Sequence, residues 1–249
     1  MTLKTKIGIT AAYLFMLVVN SLATILPING ITTGQISDNY LDLFAPFGLT
    51  FSIWGLIYIL LGAYVVMQWL DARHAHQEKI GFLFIASSVV NGLWIFAWHY
   101  DQIFLSLLLM LLLLGSLIAI AYLITPGDIR MKLIFMVYFG WITVATIANV
   151  TTLLVQQGIV PFGLSEVFWT VFVIITGLII TVLTGLRFKS NAYLLVPLWA
   201  YFGILMKHLT FFDHAYPAII WTTGVAMVVL LGFNLFIARL PLSRLLSKT

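Results

Sequence analysis

Three aromatic stripes carry most of the chemistry that this chain could do. Trp54 and Tyr58 stand one turn apart behind Pro46-x-Gly48, so a helix would show both on one face. Asn91, Trp94 and Trp98 follow at i, i+3 and i+7. Tyr138, Trp141, Ala145 and Asn149 repeat the theme at i, i+3, i+7 and i+11. On a helix each set makes a single stripe. Flat rings with a few amides suit a pocket for a flat, mostly apolar ligand, the rings supplying area and the amides orientation. The same residues also suit glue between helices, with Trp98 left to an interfacial aromatic belt.

Other reactive groups are less organised. His74-x-His76-x-Glu78 has a metal-like spacing, but its charged flanks read as a solvated loop. His99, Asp101, Glu166, His208, Asp213 and His214 collect at one set of segment ends, where zinc binding or acid–base hydrolysis would want them. No HExxH or Gly-x-Ser-x-Gly motif orders them, and polar residues are ordinary at such ends. No catalytic residue and no metal ligand is therefore assigned. The chain has no cysteine, which excludes disulfides, thiol catalysis and thiolate metal sites.

The elements that must position these stripes are membrane helices. Charged residues make up 8% of the chain, against roughly a quarter in a soluble domain, and the mean hydropathy is +1.11. Eight apolar segments, near 7–26, 48–69, 80–99, 103–124, 131–155, 164–186, 192–209 and 217–239, are separated by polar or Pro/Gly punctuation. They lack the period-two alternation of barrel strands, so the expected fold is all-α, a polytopic bundle of about eight transmembrane helices. The first segment is longer than a signal-peptide core and is expected to stay as a span. With the N-terminus inside, every Lys and Arg but Lys207 falls on the inner side. That asymmetry requires an even number of spans and cytoplasmic termini. It also explains the net charge of +4 without any nucleic-acid partner.

Most connections are short. The exception, residues 27–47 on the outer side, is rich in Gly, Asn, Thr and Asp, and its length suits a lid or binding element as well as a passive connector. Asn20, Trp54, Asn91, Trp94 and Asn149 fall in the middle or outer half of the membrane, where amides must face the bundle interior. The seventh segment repeats the pattern as Val196-Pro197-x-Trp199-x-x-x-Gly203-x-x-x-Lys207. Lys207 is expected either to meet a carboxylate (a ligand's, or that of Glu166, Asp101 or Asp42) or to snorkel to the interface.

Three of these motifs resemble a known family. Pro46-x-Gly48-x-x-Phe51-x-Ile53-Trp54-Gly55-x-Ile57-Tyr58 looks like the second-helix motif of the TspO/MBR proteins, the tryptophan-rich sensory or translocator proteins. Asn91-x-x-Trp94 resembles their third-helix pattern, and Tyr138-x-x-Trp141-x-x-x-Ala145-x-x-x-Asn149 their fifth. The likeness covers about residues 5–157. It implies a five-helix bundle over 1–157, extended by three further helices over 158–249. It also implies binding, sensing or translocation of a porphyrin or haem-like tetrapyrrole beneath the first loop, with no other cofactor. Trp54, Tyr58, Trp94, Trp141 and Ala145 would form the apolar wall, and Asn91 and Asn149 would fix orientation or hold helices together. Tyr138, from the fifth-helix motif, and Lys207, from its charge placement alone, complete the candidate ligand-binding residues. Val137 stands where the family usually has proline, and Val150–Gly158 lacks the family's sterol-recognition pattern, so sterol binding is not carried over. The competing readings are a secondary transporter, which would need broken helices of which Pro197 is the sole sign, and an intramembrane hydrolase. Lipid is the expected surrounding partner, in a bacterial plasma membrane, and the small residues along the helices leave room for a homodimer.

Overall fold

The computed structural model describes residues 1–25, 28–40, 42–70, 75–159 and 161–240. His74, Arg73, Arg244 and Lys248 lie outside the described residues. Among the described residues the chain is helical with no strand. In order the helices are α1 (Leu3–Ile25), α2 (Thr33–Asn39), α3 (Ile53–Leu70), α4 (Gln77–His99), α5 (Ile103–Leu123), α6 (Ile129–Gln156), α7 (Glu166–Phe188), α8 (Asn191–Thr210) and α9 (Pro217–Ala238). All but α2 are long and apolar enough to cross a membrane, eight in total.

Local chemistry starts several of these helices. Side-chain oxygens of Asp128, Ser165 and Ser190 accept from the backbone N–H three residues on, capping α6, α7 and α8. Pro217 opens α9, where its missing N–H costs nothing. A 3₁₀ turn over Gly48–Ser52 leads into α3 from the Pro46-x-Gly48 segment.

The centre of the bundle is α6, the most buried of the spans. On one side it packs on α3 and α5, and on another on α8. Gly140 permits the second contact, since a Cβ there would come within 3.0 Å of the Tyr193 carbonyl oxygen and 2.9 Å of Val196 Cβ. Tyr193 then donates to Thr143 Oγ1 at 3.0 Å. Helix α1 packs on α4 and α3, while α7 and α9 lie against α8 and each other.

The segment between α1 and α3 is folded. Thr32 and Gln35 form a reciprocal capping box that begins α2, satisfying two N–H groups at its start. The whole segment, α2 included, is clamped from two directions. From α4, Trp98 Nε1 donates to the Thr33 carbonyl at 3.2 Å, and the His99 ring meets the Ile28 carbonyl and Thr33 Oγ1 at 2.9 and 3.1 Å. From α8, Trp199 Nε1 donates to the Thr50 carbonyl at 2.9 Å, and the Gly203 carbonyl accepts from Phe47 N at 3.0 Å. His208 Nε2 lies 2.9 Å from the Leu43 carbonyl. Trp98 is thus buried beneath α2 and is not part of an interfacial belt. A side chain at Gly203 would overlap Thr50 Oγ1 and stand 3.0 Å from Pro46 Cβ, so the stripe Trp199–Gly203 fits this segment only with glycine.

Candidate functional site

Trp54 is the hub of the aromatic stripes. Its ring stacks on Tyr58 at 5.6 Å and 17°, and meets Trp94 at 6.1 Å. Tyr138 and Trp141 present themselves edge-on, each at 6.2 Å. Trp94 stacks in turn on Trp98 at 6.0 Å, and Phe51 meets Trp141 edge-on at 5.8 Å. Rings offset or edge-on at these spacings place positive edges against negative faces, which favours the pairs beyond their buried area. The three helices α3, α4 and α6 converge because these rings interlock.

Two spaces border this hub. One is an open cleft of about 650 Å³ between α1, α2 and the start of α3. Phe51, Trp54 and Tyr58 form its aromatic side, and Asn20, Thr32, Gln35 and Asp38 its polar side. The other is a small space of about 30 Å³ on the α6 side, lined by Trp54, Trp94, Trp98, Trp141, Ala145 and Asn149 among others. Trp54 borders both. Trp141 Nε1 is buried without a hydrogen-bond partner among the described residues, an arrangement that leaves a desolvated donor uncompensated.

The amides are occupied. Asn20 Nδ2 donates to Asn91 Oδ1 at 2.8 Å, and Asn91 Nδ2 donates to the Tyr138 hydroxyl at 3.1 Å. Asn149 Oδ1 accepts from Ser106 Oγ at 2.6 Å and from Trp94 Nε1 at 3.4 Å. Asn91 and Tyr138 therefore sit behind the rings and tie α1, α4 and α6 together, and neither lines the cleft. Asn149 ties α4 and α5 to α6 while facing the smaller space.

Lys207 is buried, 3% exposed, and its Nζ stands 3.1 Å from Asp38 Oδ1. The carboxylate it meets is thus Asp38, none of the three residues expected from the sequence. Lys207 lies outside the cleft lining, whereas Asp38 is part of it. Asp42, beyond the end of α2, is buried beside them. Burial pushes its carboxyl up, while hydrogen bonds from Thr151 and the Phe44 N–H, and the Lys207 ammonium, pull it back.

Sequence reasoning missed the polar side of the cleft. Thr32, Gln35 and Asp38 belong to α2, whose capping-box pattern Thr-x-x-Gln was a readable signal. The histidines and acids at the helix ends are dispersed. His99 serves α2, His208 holds Leu43, and Asp101 accepts from Tyr40. Among the described residues no three His, Asp or Glu side chains gather to hold a metal ion.

A family model described as TSPO-like protein matches residues 6–236, running from α1 into α9. No curated protein and no solved structure matches the chain.

Proposed function

Because the chain belongs to the TSPO-like protein family, an integral membrane family with a ligand-binding or sensing role, we propose that it binds a flat, largely apolar molecule of the tetrapyrrole kind in the cleft beneath α2. It would sense or move that molecule and would not turn it over. The observation that carries this reading is the position of Trp54, which with Phe51 stands between a large cleft and a small space lined by tryptophans. Swinging Trp54 aside would join the two. An inserted ring system would then lie against Trp94, Trp141 and Ala145, and an acceptor atom on it would satisfy the orphaned Trp141 N–H. The cleft volume lies within the usual range of about 300–1,000 Å³ for small-molecule sites.

The polar side refines the ligand. Asp38 faces the cleft with Lys207 already bound to it, so a ligand's carboxylates find no free cation there. Protoporphyrin IX and its dimethyl ester are therefore expected to bind alike. The test is titration of both into the full chain in nanodiscs, read by tryptophan quenching, with Trp141→Phe and Trp94→Phe beside Trp221→Phe on the exposed face of α9. Saturable binding weakened by the first two variants and not the third supports the reading. Equal behaviour of all three refutes it, and a strong preference for the diacid would return Lys207 to the ligand. The proposed orientation, both termini cytoplasmic in a bacterial plasma membrane, rests on the segregation of Lys and Arg. The absence of native cysteine makes single-cysteine labelling in intact cells a direct check.

A further inference from the structure

A second sizeable cavity, about 420 Å³, opens between the end of α6 and the start of α7 and shares no lining residue with the aromatic cleft. Leu154, Val155, Ile159 and Val173 make its walls apolar, and Trp169 stands on the α7 side. Two carboxylates, Asp42 and Glu166, interrupt that lining. Asp42 is 3% exposed, with Oδ2 accepting from Thr151 at 2.6 Å and Oδ1 accepting from Phe44 N at 2.9 Å. Glu166 lies near the Leu43 backbone and near enough to Asp42 for their charges to interact. Tyr40, also on the lining, donates to Asp101.

The balance of charge selects the occupant. The ammonium of Lys207 also acts on Asp42, but its 3.1 Å contact is with Asp38. Lys207 is thus shared between Asp38 and Asp42, and Glu166 stands beside Asp42 as a further acid. An apolar groove edged with two carboxylates, at an end where a single lysine is shared between Asp38 and Asp42, complements a molecule with a cationic head and an apolar body. A zwitterionic phospholipid fits less well, since its phosphate would approach the same acids. We propose that this groove binds a free amphipathic organic cation, its ammonium head between Asp42 and Glu166 and its single apolar chain along Leu154, Val155, Ile159 and Val173.

The test uses the full chain in phosphatidylcholine nanodiscs with ω-bromoundecylammonium, whose bromine quenches nearby indoles, and ω-bromoundecanol as the neutral isostere. The expected result is saturable quenching by the amine that disappears in Trp169→Phe and persists in Trp221→Phe. Glu166→Gln and Asp42→Asn should each weaken amine binding about tenfold and leave the alcohol unaffected. Glu166 is exposed, so its variant keeps the test valid should Asp42→Asn misfold. Equal affinity for amine and alcohol, or indifference of the amine to Glu166→Gln, overturns the proposal. So does loss of amine quenching when phosphatidylethanolamine replaces phosphatidylcholine, which would assign the groove to a lipid headgroup.

Discussion

Helices α3, α4 and α6 bring aromatic rings together twice, at opposite ends of their shared contact. At the end away from α2, Tyr64, Phe84 and Phe135 meet at 4.9, 5.0 and 6.3 Å. Trp54 and Trp94 lie ten residues from Tyr64 and Phe84 in sequence, about 15 Å along their helices. There the rings stand 5.6 to 6.2 Å from Trp54, and space opens on both sides of it. The difference follows from what covers each end. The far cluster is filled by its own three fully buried rings. The near cluster ends under α2, which bridges the helices from above and does not fill the gap between them. A second contrast guards against over-reading. Tyr64 Oη and Trp141 Nε1 are both buried without hydrogen-bond partners among the described residues, but of the two Trp141 alone borders one of the cavities described above. An orphaned polar atom points to a ligand only where there is room for one.

Substitutions can break this comparison from either side. Phe135→Ala should cost about 3–5 kcal/mol of stability by leaving a cavity in the filled cluster, while porphyrin binding in surviving folded protein stays unchanged; reversible unfolding in mixed micelles measures the first and quenching the second. Gly203→Val should cost about 1–3 kcal/mol through overpacking against Thr50 and Pro46. It should also weaken ligand binding, because the displaced segment is the cover of the cleft. Trp141→Phe should cost about 1–3 kcal/mol through lost ring volume, none of it from its N–H, which has no partner among the described residues, and reduce porphyrin affinity about tenfold.

The smallest effect is on pH dependence. Burial raises the Asp42 carboxyl above its usual value of about 4. Between that value and the folded one, the native chain holds a proton that the unfolded chain has released. Stability therefore falls as pH rises through that window and levels off above it. Asp42→Asn should flatten the slope, as unfolding midpoints recorded upward from about pH 4 would show, whereas Phe135→Ala should keep it.

The spans and stripes were legible because lipid imposes a continuous apolar run and a helix imposes its period. Trp54, Trp94 and Trp141 come together for that reason. The roles of Asn91 and Asn149 stayed open in the sequence, since an interior amide can tie helices or face a ligand. The structure has Asn91 tying helices and Asn149 doing both. The partner of Lys207 was not legible, because Asp38 lies 169 residues away and nothing local encodes the pair. The folded cover was half-legible. Thr32 and Gln35 announce α2, but the composition around them reads as loop.

The clasp between α8 and the segment after α2 also sets an order of events during synthesis. Asp38 and Thr50 leave the ribosome long before Lys207 and Trp199, which follow 169 and 149 residues later. At ordinary elongation rates the cleft waits about ten to thirty seconds for the helix that fastens its cover. Once α6 has joined the bundle and before α8 arrives, the cover is held from α4 and not yet from α8, so a ligand already in the membrane could be enclosed as the chain is completed.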